Sequence, residues 1–183
     1  MNRKRILYNQ HSILMKTLHT ALILVFAFAF LAGSAVTVDA TNPPAADNIA
    51  WKPYGEAISS AKESGKKVIV DVYTDWCGWC KKMDKEVYAK EKIKETLEKY
   101  FEPVKLDAES KTSHQVDGKA VTERQIAKSF GVTGYPTTLF LDSDGEPITK
   151  VPGYIKEDMF VKLLEYIGAE HYKTKKWEEF AGM

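Results

Sequence analysis

One continuous stretch joins a strand pattern to a pair of cysteines: Val68-Ile69-Val70-Asp71-Val72-Tyr73-Thr74-Asp75-Trp76-Cys77-Gly78-Trp79-Cys80. Its first six residues are β-branched or aromatic apart from Asp71, which is typical of a central strand covered on both faces. After Cys77 the apolar residues recur at three-to-four spacing among lysines and glutamates, at Met83, Val87, Ile93 and Leu97. This spacing predicts a helix with one buried face, and it places Cys77 at or just before the helix N-terminus.

Cys77 and Cys80 are the only cysteines of the chain, and their position predicts a redox-active dithiol. Unpaired backbone N–H groups and the helix dipole stabilise an anion at a helix N-terminus, so the first thiol should ionise more readily than the second. We therefore expect Cys77 to be exposed and to be the attacking thiolate. Cys80 lies one turn later, more deeply in the protein, and we expect it to be the resolving thiol.

Two other uses of the cysteine pair are less consistent with the sequence. A structural disulfide gains little stability when only two residues separate its cysteines. A structural zinc site needs about four ligands, and the histidines outside the N-terminal segment, His114 and His171, have no metal-like spacing to the cysteines. We therefore expect neither a metal nor another cofactor.

A second motif, Gly134-Tyr135-Pro136-Thr137, opens another apolar strand pattern. A proline at a strand entrance removes no central ladder bond, and an X-Pro bond can be cis at low cost. We predict a cis Tyr135-Pro136 bond that presents the backbone groups of Tyr135 to an incoming peptide. The alternative is a trans proline that only begins the strand.

Together these motifs resemble the thioredoxin superfamily over about residues 51–167. The resemblance implies an α/β thioredoxin fold, a central mixed sheet with helices on both faces. In that family the first cysteine attacks, the second resolves, a buried aspartate shuttles the proton of the resolving thiol, and a cis-proline faces the disulfide. These roles are implied for Cys77, Cys80, Asp71 and Pro136, respectively. Lys105 resembles, more weakly, the lysine that approaches the buried aspartate.

The residues around the dithiol are expected to bind the substrate, namely Trp76, Gly78, Trp79, Tyr135 and Pro136. Gly78-Trp79 replaces the Gly-Pro of ordinary thioredoxins, so the redox potential does not transfer. Residues 108–120 are longer than the corresponding thioredoxin loop. Other details resemble exported thioredoxin-like proteins and the C-terminal domains of transmembrane disulfide reductases. Protein thiols and disulfides are the expected partners, with a transmembrane electron donor as a further candidate.

The N-terminal residues 1–40 have the order of a secretory signal: basic residues, an apolar stretch at 21–32, and small residues before a cleavage site. Cleavage is expected after Ala40, with Ala35 as second choice and Met15 as an alternative start. An uncleaved anchor is the competing interpretation. No cysteine directly follows the apolar stretch, which excludes lipoprotein anchoring. Either way the domain is expected outside the cytoplasm, periplasmic or secreted, or membrane-anchored.

The remaining chain is interpreted as a linker at 41–50, one domain at 51–168 and a C-terminal tail at 169–183. The predicted helices are 54–64, 122–130 and 157–167, with Gly65 and Gly168 as C-terminal stops; the long helix after Cys77 is expected to break near Tyr88-Ala89. The predicted strands are 68–73, 101–106 and a hairpin of 137–141 with 147–151. Trp177 and Phe180 are interpreted as covering the domain edge rather than binding a ligand.

The charge of the chain excludes a nucleic-acid surface, since the net charge is +1 overall and the residues after Ala40 include 22 basic and 24 acidic side chains. Lys81, Lys82 and Lys85 could stabilise the thiolate or steer an acidic partner, but the exposed face of an amphipathic helix is the favoured interpretation.

Three functions fit the sequence: a reductase or electron carrier, an oxidase or isomerase of exported proteins, and a non-enzymatic binding module. Asp71 favours exchange chemistry, because a buried carboxyl group is costly unless it is paired or neutral. The absence of a histidine between the cysteines argues against a strong oxidant, so we expect a reductase.

Overall fold

The computed structural model describes residues 49–182. The predicted signal peptide or anchor, its cleavage site and most of the predicted linker lie outside the described residues. Between residues 49 and 182, no helix is long and apolar enough to cross a membrane.

Strands and helices alternate along most of the described chain. In order they are α1 (Tyr54–Ser64), β1 (Lys67–Tyr73), α2 (Gly78–Met83), a π-helical turn (Asp84–Tyr88), α3 (Glu91–Tyr100), β2 (Phe101–Asp107), β3 (Ser113–Val116), β4 (Lys119–Thr122), α4 (Glu123–Ser129), β5 (Thr137–Leu141), β6 (Pro147–Pro152), α5 (Glu157–Gly168), a 3₁₀ turn (His171–Lys173) and α6 (Trp177–Ala181).

Four strands form a mixed central sheet in the order β2-β1-β5-β6. β1 is parallel to β2 and antiparallel to β5, and β5 and β6 form the predicted hairpin. In this register Asp71 lies beside Lys105 on one neighbouring strand and beside Thr138 on the other. The predicted thioredoxin fold, a mixed sheet with helices on both faces, is confirmed.

The sheet separates two apolar cores, because alternate residues of β1 point to opposite faces. Val68, Val70 and Val72 pack with the buried side chains of α1 and α4. Ile69 packs with the buried side chains of α2, α3 and α5. By the same alternation Asp71 belongs to the face of Ile69, which is the face that carries the cysteine helix.

Local sequence explains where the helices begin and end. Gly65 stops α1 in a left-handed conformation with φ 73°, as predicted. Thr122 caps α4 through a capping box with Gln125. The predicted break near Tyr88-Ala89 is confirmed, since α3 starts anew at Glu91 after an extended Lys90. The structure adds a π-helical turn before this break.

Residues 108–120, which the sequence analysis treated only as a long loop, contribute to a second, two-stranded sheet formed by β3 and β4. The turn between these strands is Asp117-Gly118, and both residues have positive φ values, 49° and 77°. An Asp-Gly pair between two short extended segments is a hairpin signal, so the sequence contained the information for this element.

The predicted role of Gly168 as a helix stop is wrong, because Gly168 is the last residue of α5 and the cap is Ala169. A Cβ atom at Gly168 would lie 2.6 Å from Cγ of Tyr100. Glycine is therefore required here for the close approach of α5 to the end of α3.

We predict that Gly168→Ala lowers the free energy of unfolding by about 1–3 kcal/mol, the usual cost of overpacking. Alanine is otherwise the better helix former, by about 1 kcal/mol. In a Tyr100→Ala background the collision is absent, so the same substitution should become neutral or stabilising. Urea denaturation of the four proteins of this double-mutant cycle measures the difference. An equal loss in both backgrounds would contradict the packing explanation.

Candidate active site at the start of helix α2

Cys77 and Cys80 form a disulfide at the start of α2. Cys77 is the N-cap residue, as predicted, and its Sγ accepts a hydrogen bond from the backbone N–H of Cys80 at 3.0 Å. The backbone N–H of Cys77 donates to the C=O of Thr74 at 3.1 Å, which fixes the turn between β1 and α2. After reduction, the N–H group that now points at Sγ can stabilise a thiolate there.

The predicted exposure of Cys77 is wrong for the disulfide form. Cys77 is 4% exposed, nearly as buried as Cys80 at 2%. The Sγ of Cys77 is bonded to Cys80 and accepts the Cys80 N–H, so it is directed toward the helix rather than toward solvent. The distinction between the two cysteines therefore depends on their positions along the helix and not on their exposure.

Two exposed tryptophans adjoin the cysteines in sequence. Trp76 is 66% exposed and Trp79 is 57% exposed, and they are the only large apolar side chains of residues 49–182 that are exposed to this degree. Large exposed aromatic side chains are typical of binding surfaces. Their positions beside the disulfide agree with the predicted substrate-binding role, which stays a prediction.

Trp76 is held from two sides. Its ring packs edge-to-face against Tyr135, with 5.8 Å between the ring centroids. Its Nε1 donates a hydrogen bond to Oε2 of Glu109 at 3.1 Å. The structure thus brings together two predicted substrate-binding residues, Trp76 and Tyr135, and adds Glu109 from the segment after β2, which the sequence analysis missed.

Trp79 contacts a different part of the chain. Its ring lies 5.5 Å from that of Tyr154, and Nζ of Lys82 lies over both rings, at 4.9 Å and 5.3 Å from their centroids. The hydroxyl of Tyr154 donates to Glu86 at 3.0 Å. The contact of Tyr154 with Trp79 was not predicted from the sequence. The position of Lys82 over both rings was not predicted either, since Lys82 was interpreted as part of the exposed face of the helix.

The Tyr135-Pro136 bond is cis, as predicted. The C=O of Pro136 accepts a hydrogen bond from the N–H of Gly153 at 2.8 Å, which ties the start of β5 to the turn after β6. Gly153 has a φ of 89°, a left-handed conformation that favours glycine. The predicted orientation of Pro136 and of the Tyr135 backbone toward the dithiol stays a prediction.

Asp71 is buried on the central strand, with 1% of its surface exposed. Lys105 approaches it from β2, with 2.7 Å between Nζ and Oδ2, so the weaker resemblance at Lys105 corresponds to a real contact. Burial raises the pKa of Asp71 above its ordinary value of 3.8, and the positive charge of Lys105 opposes this shift without cancelling it. The predicted buried aspartate with a raised pKa is confirmed, and a water-facing edge position is excluded.

Lys105 also forms an ion pair with Asp84, on the π-helical turn that follows α2. Burial lowers the pKa of Lys105, but its two carboxylate partners outweigh burial and raise it. Tyr88, from the same turn, is buried, and both burial and the charge of Asp71 raise its pKa well above 10. A groove of about 370 Å³ reaches this cluster and is lined in part by Trp51, Asp84 and Lys105. The cluster therefore joins a buried acid to solvent.

Between residues 49 and 182, the two histidines, His114 and His171, do not form a metal site with acidic or cysteine side chains. His114 Nε2 lies 3.0 Å from Oε1 of Glu123. Among the described residues, no group of three or more His, Cys, Asp and Glu side chains is placed to hold a metal ion.

Comparisons with known proteins agree with this geometry. A sequence model of the thioredoxin-like domain family matches residues 54–168. Disulfide bond reductase DsbH of Chlamydia pneumoniae is 28% identical over 112 residues, which cover 61% of this chain and 67% of DsbH. Thiol:disulfide interchange protein DsbD of Actinobacillus pleuropneumoniae serotype 5b (strain L20) is 30% identical over 105 residues, which cover 56% of this chain but only 16% of DsbD.

Among solved structures, a thioredoxin-fold protein from Helicobacter pylori superimposes with a TM-score of 0.56 at 20% identity, covering 65% of this chain and 79% of that protein. This similarity supports the fold. With a disulfide at the start of α2 and a buried acid on the central strand, the chain belongs to the thioredoxin-like family and is a thiol-disulfide oxidoreductase.

Proposed function

We propose that this protein is an exported protein-disulfide reductase. The observation that carries the proposal is the Cys77–Cys80 disulfide, in which Sγ of Cys77 accepts the backbone N–H of Cys80 and the sequence neighbours Trp76 and Trp79 are exposed. The name of its relative DsbH, disulfide bond reductase, supports the reducing direction. Export is supported by the signal-like order of residues 1–40. The rest of the chain is then a linker at 41–50, the thioredoxin-like domain at 51–168 and a C-terminal tail at 169–183.

In the proposed reaction the reduced protein transfers two electrons to a substrate disulfide. The Cys77 thiolate attacks one substrate sulfur, forms a mixed disulfide and releases the other substrate sulfur as a thiolate. Cys80 then loses its proton to Asp71 and attacks Sγ of Cys77. The Cys77–Cys80 disulfide forms, and the second substrate sulfur leaves as a thiolate. A dithiol donor, which we propose to be a transmembrane protein, reduces the Cys77–Cys80 disulfide again.

Asp71 and Lys105 suit the second of these steps. A carboxylate whose pKa is raised by burial can accept a proton at a pH nearer neutrality than an exposed one. Lys105 pairs with both Asp71 and Asp84 and lines the groove that opens to solvent, which supports a route for the accepted proton from Asp71 to water. Asp71 can then return the proton to water, and the protein remains in its oxidised form with the Cys77–Cys80 disulfide.

The direction of transfer is tested by the equilibrium potential of the Cys77–Cys80 couple, measured against glutathione. We expect a potential near the thioredoxin end of the family range, about −270 mV, because a reductase must give up its electrons readily. A value near −120 mV would instead assign the protein to the oxidation of exported proteins. A Trp79→Pro variant has the Gly-Pro pair of ordinary thioredoxins between its cysteines. The difference between its redox potential and that of the unsubstituted protein measures how strongly these two residues determine the potential.

We predict that Cys80→Ser accumulates a mixed disulfide with substrate through Cys77, since the resolving thiol is absent. Cys77→Ser should abolish turnover, because the capped position at the helix start is then occupied by a hydroxyl group. Non-reducing gels and mass spectrometry of the trapped species identify the bonded cysteine. Trapping through Cys80 in the Cys77→Ser variant would reverse the two roles.

We predict that Asp71→Asn slows resolution of the mixed disulfide by about 10²-fold, the usual contribution of a positioned base. Substrate binding should change much less. Stopped-flow measurement of the release of the second thiol between pH 6 and 9 separates the two effects. Asp75→Asn, at an exposed aspartate close to the dithiol, is the matched control. Resolution that stays as fast as in the unsubstituted protein across neutral pH would remove Asp71 from the mechanism.

The free energy of unfolding of Asp71→Asn should show how much the buried carboxyl group destabilises the protein. The folded protein holds the Asp71 proton to a higher pH than the unfolded chain, so this residue makes folding less favourable as pH rises from about 4 through the raised pKa. The stability of Asp71→Asn relative to the unsubstituted protein should increase over that window and then level off. Urea denaturation of the oxidised proteins across this pH window measures this difference.

A further inference from the structure

An apolar groove of about 790 Å³ lies between β6, α5 and the C-terminal tail. It is separate from the smaller groove at Lys105. Six half-buried side chains supply most of its apolar lining: Ile148, Val151, Tyr154, Met159, Tyr172 and Trp177. We refer to these six residues as the C-terminal groove. Lys156 is the charged residue of its lining.

The tail builds one wall of the C-terminal groove and is firmly attached to α5. The rings of Trp177 and Tyr172 lie 5.2 Å and 6.4 Å from that of Tyr166. The hydroxyl of Tyr166 donates to the C=O of Lys175 at 2.6 Å, and Lys162 Nζ donates to the C=O of Ala181 at 2.9 Å. Trp177 therefore covers the domain edge, as predicted, and also borders a groove. This wall lies beyond residue 168, where the match to the family model ends.

The C-terminal groove is continuous with the aromatic surface beside the dithiol. Tyr154, at one end of the groove, contacts the exposed Trp79 at 5.5 Å between the ring centroids. Gly153, the preceding residue, donates its N–H to the C=O of Pro136. A chain whose sulfur reacts at Cys77 and that passes over Trp79 therefore reaches Tyr154 next.

The strand beside the groove is open to an extended chain. β6 is an edge strand: among the strands of residues 49–182 it pairs only with β5, so within this part of the chain one side of its backbone has no partner strand. Lysines often protect such edges, but Nζ of Lys150 donates to the C=O groups of Phe130 and Gly131 and is thereby directed toward the end of α4. Backbone pairing with β6 and apolar contacts in the groove are thus available to the same segment.

We propose that the C-terminal groove binds an extended apolar segment of the polypeptide substrate, next in sequence to the cysteine that reacts with Cys77. This inference rests on the proposed reductase function and names its substrate class: disulfides in unfolded or misfolded chains, whose apolar segments are exposed. Tyr154, Tyr172 and Trp177 offer broad, rigid contact surfaces, and Met159 is flexible enough to fit different side chains. Such a lining selects for apolar character rather than for one sequence.

The test uses the reduced full-length chain and two synthetic peptides. Each peptide has one cysteine in a mixed disulfide with 2-nitro-5-thiobenzoate; leucine, valine and phenylalanine flank the cysteine in one peptide, and serine and glutamine in the other. Attack by Cys77 on the peptide sulfur expels the coloured thiolate, and Cys80 then releases the peptide thiol. The absorbance change gives the rate constant of attack for each peptide.

We expect the apolar peptide to react about tenfold faster than the polar one, which corresponds to about 1.4 kcal/mol. Met159→Lys places a charge in the groove and should bring the ratio of the two rate constants close to one. Trp177→Ser, which removes part of the tail wall, should lower the same ratio and serves if the lysine variant does not fold. Val161→Lys is the matched control, since Val161 is also half-buried on α5 but does not line the groove. It should leave the ratio unchanged.

Equal ratios in the unsubstituted protein, Met159→Lys and Trp177→Ser would overturn the assignment of the groove. If the ratio is unchanged while Met159→Lys abolishes binding to phosphatidylglycerol vesicles, the groove binds lipid and the proposal is wrong. If the ratio of the two rate constants is unchanged but Met159→Lys abolishes self-association in sedimentation experiments, the groove binds a second copy of the chain and the proposal is wrong. Release of the coloured thiolate from neither peptide would overturn the reductase function and the groove assignment together, whereas release without selectivity overturns only the latter.

Discussion

The ion pair between Asp71 and Lys105 constrains the centre of this fold. A carboxyl group buried on an interior strand of a sheet costs several kcal/mol unless a partner compensates it. Lys105 lies directly beside Asp71 in the parallel register of β1 and β2, and it brings its ammonium group to 2.7 Å. A slip of one residue would turn Lys105 to the opposite face and leave the carboxyl group without its cation. The pair therefore opposes any other register of these two strands.

The same lysine connects the sheet to the helix that carries the dithiol. Asp84 shares the ammonium group of Lys105, and it begins the π-helical turn directly after α2. In this turn the N–H of Ala89 donates to the C=O of Asp84, five residues back. Such wide turns are frequent at functional sites, where they re-aim side chains. Here the turn brings an exposed carboxylate to the lysine and buries Tyr88 on the same side. Cys80 lies four residues before Asp84, about one turn, so its position is tied to the buried acid.

The sequence was informative where a feature is local. The apolar run of β1, the helix after Cys77 and the Gly-Tyr-Pro-Thr turn are each visible within a few residues, and all three are confirmed. The hairpin at Asp117-Gly118 was equally local and could have been predicted from its turn residues. Contacts between distant segments were not accessible in this way. Glu109 reaches Trp76 across 33 positions and Tyr154 reaches Glu86 across 68, and nothing in either neighbourhood signals the partner.

Gly168 shows why a correct residue signal can receive the wrong interpretation. Glycine at a helix end usually adopts a left-handed conformation, and only the position of the Tyr100 ring reveals that the absent Cβ is what matters. Cys77 is a similar case, because the dipole argument describes a reduced thiolate, whereas its 4% exposure belongs to the disulfide. Local sequence indicates which conformations and chemistry are open to a residue, whereas its contacts with distant parts of the chain determine which of them occurs in the folded protein.

The two tryptophans beside the dithiol depend on different parts of the chain. Trp76 is positioned by Glu109, in the segment that leads to the β3-β4 hairpin, and by Tyr135. Trp79 is positioned by Tyr154, next to β6 and the groove that the tail completes. The reacting sulfurs and the buried acid belong to the core of the fold, while the surfaces on either side are set by the segment after β2 and by the C-terminal tail. Changes in those segments can therefore alter which disulfides reach Cys77 without disturbing the exchange chemistry beneath it.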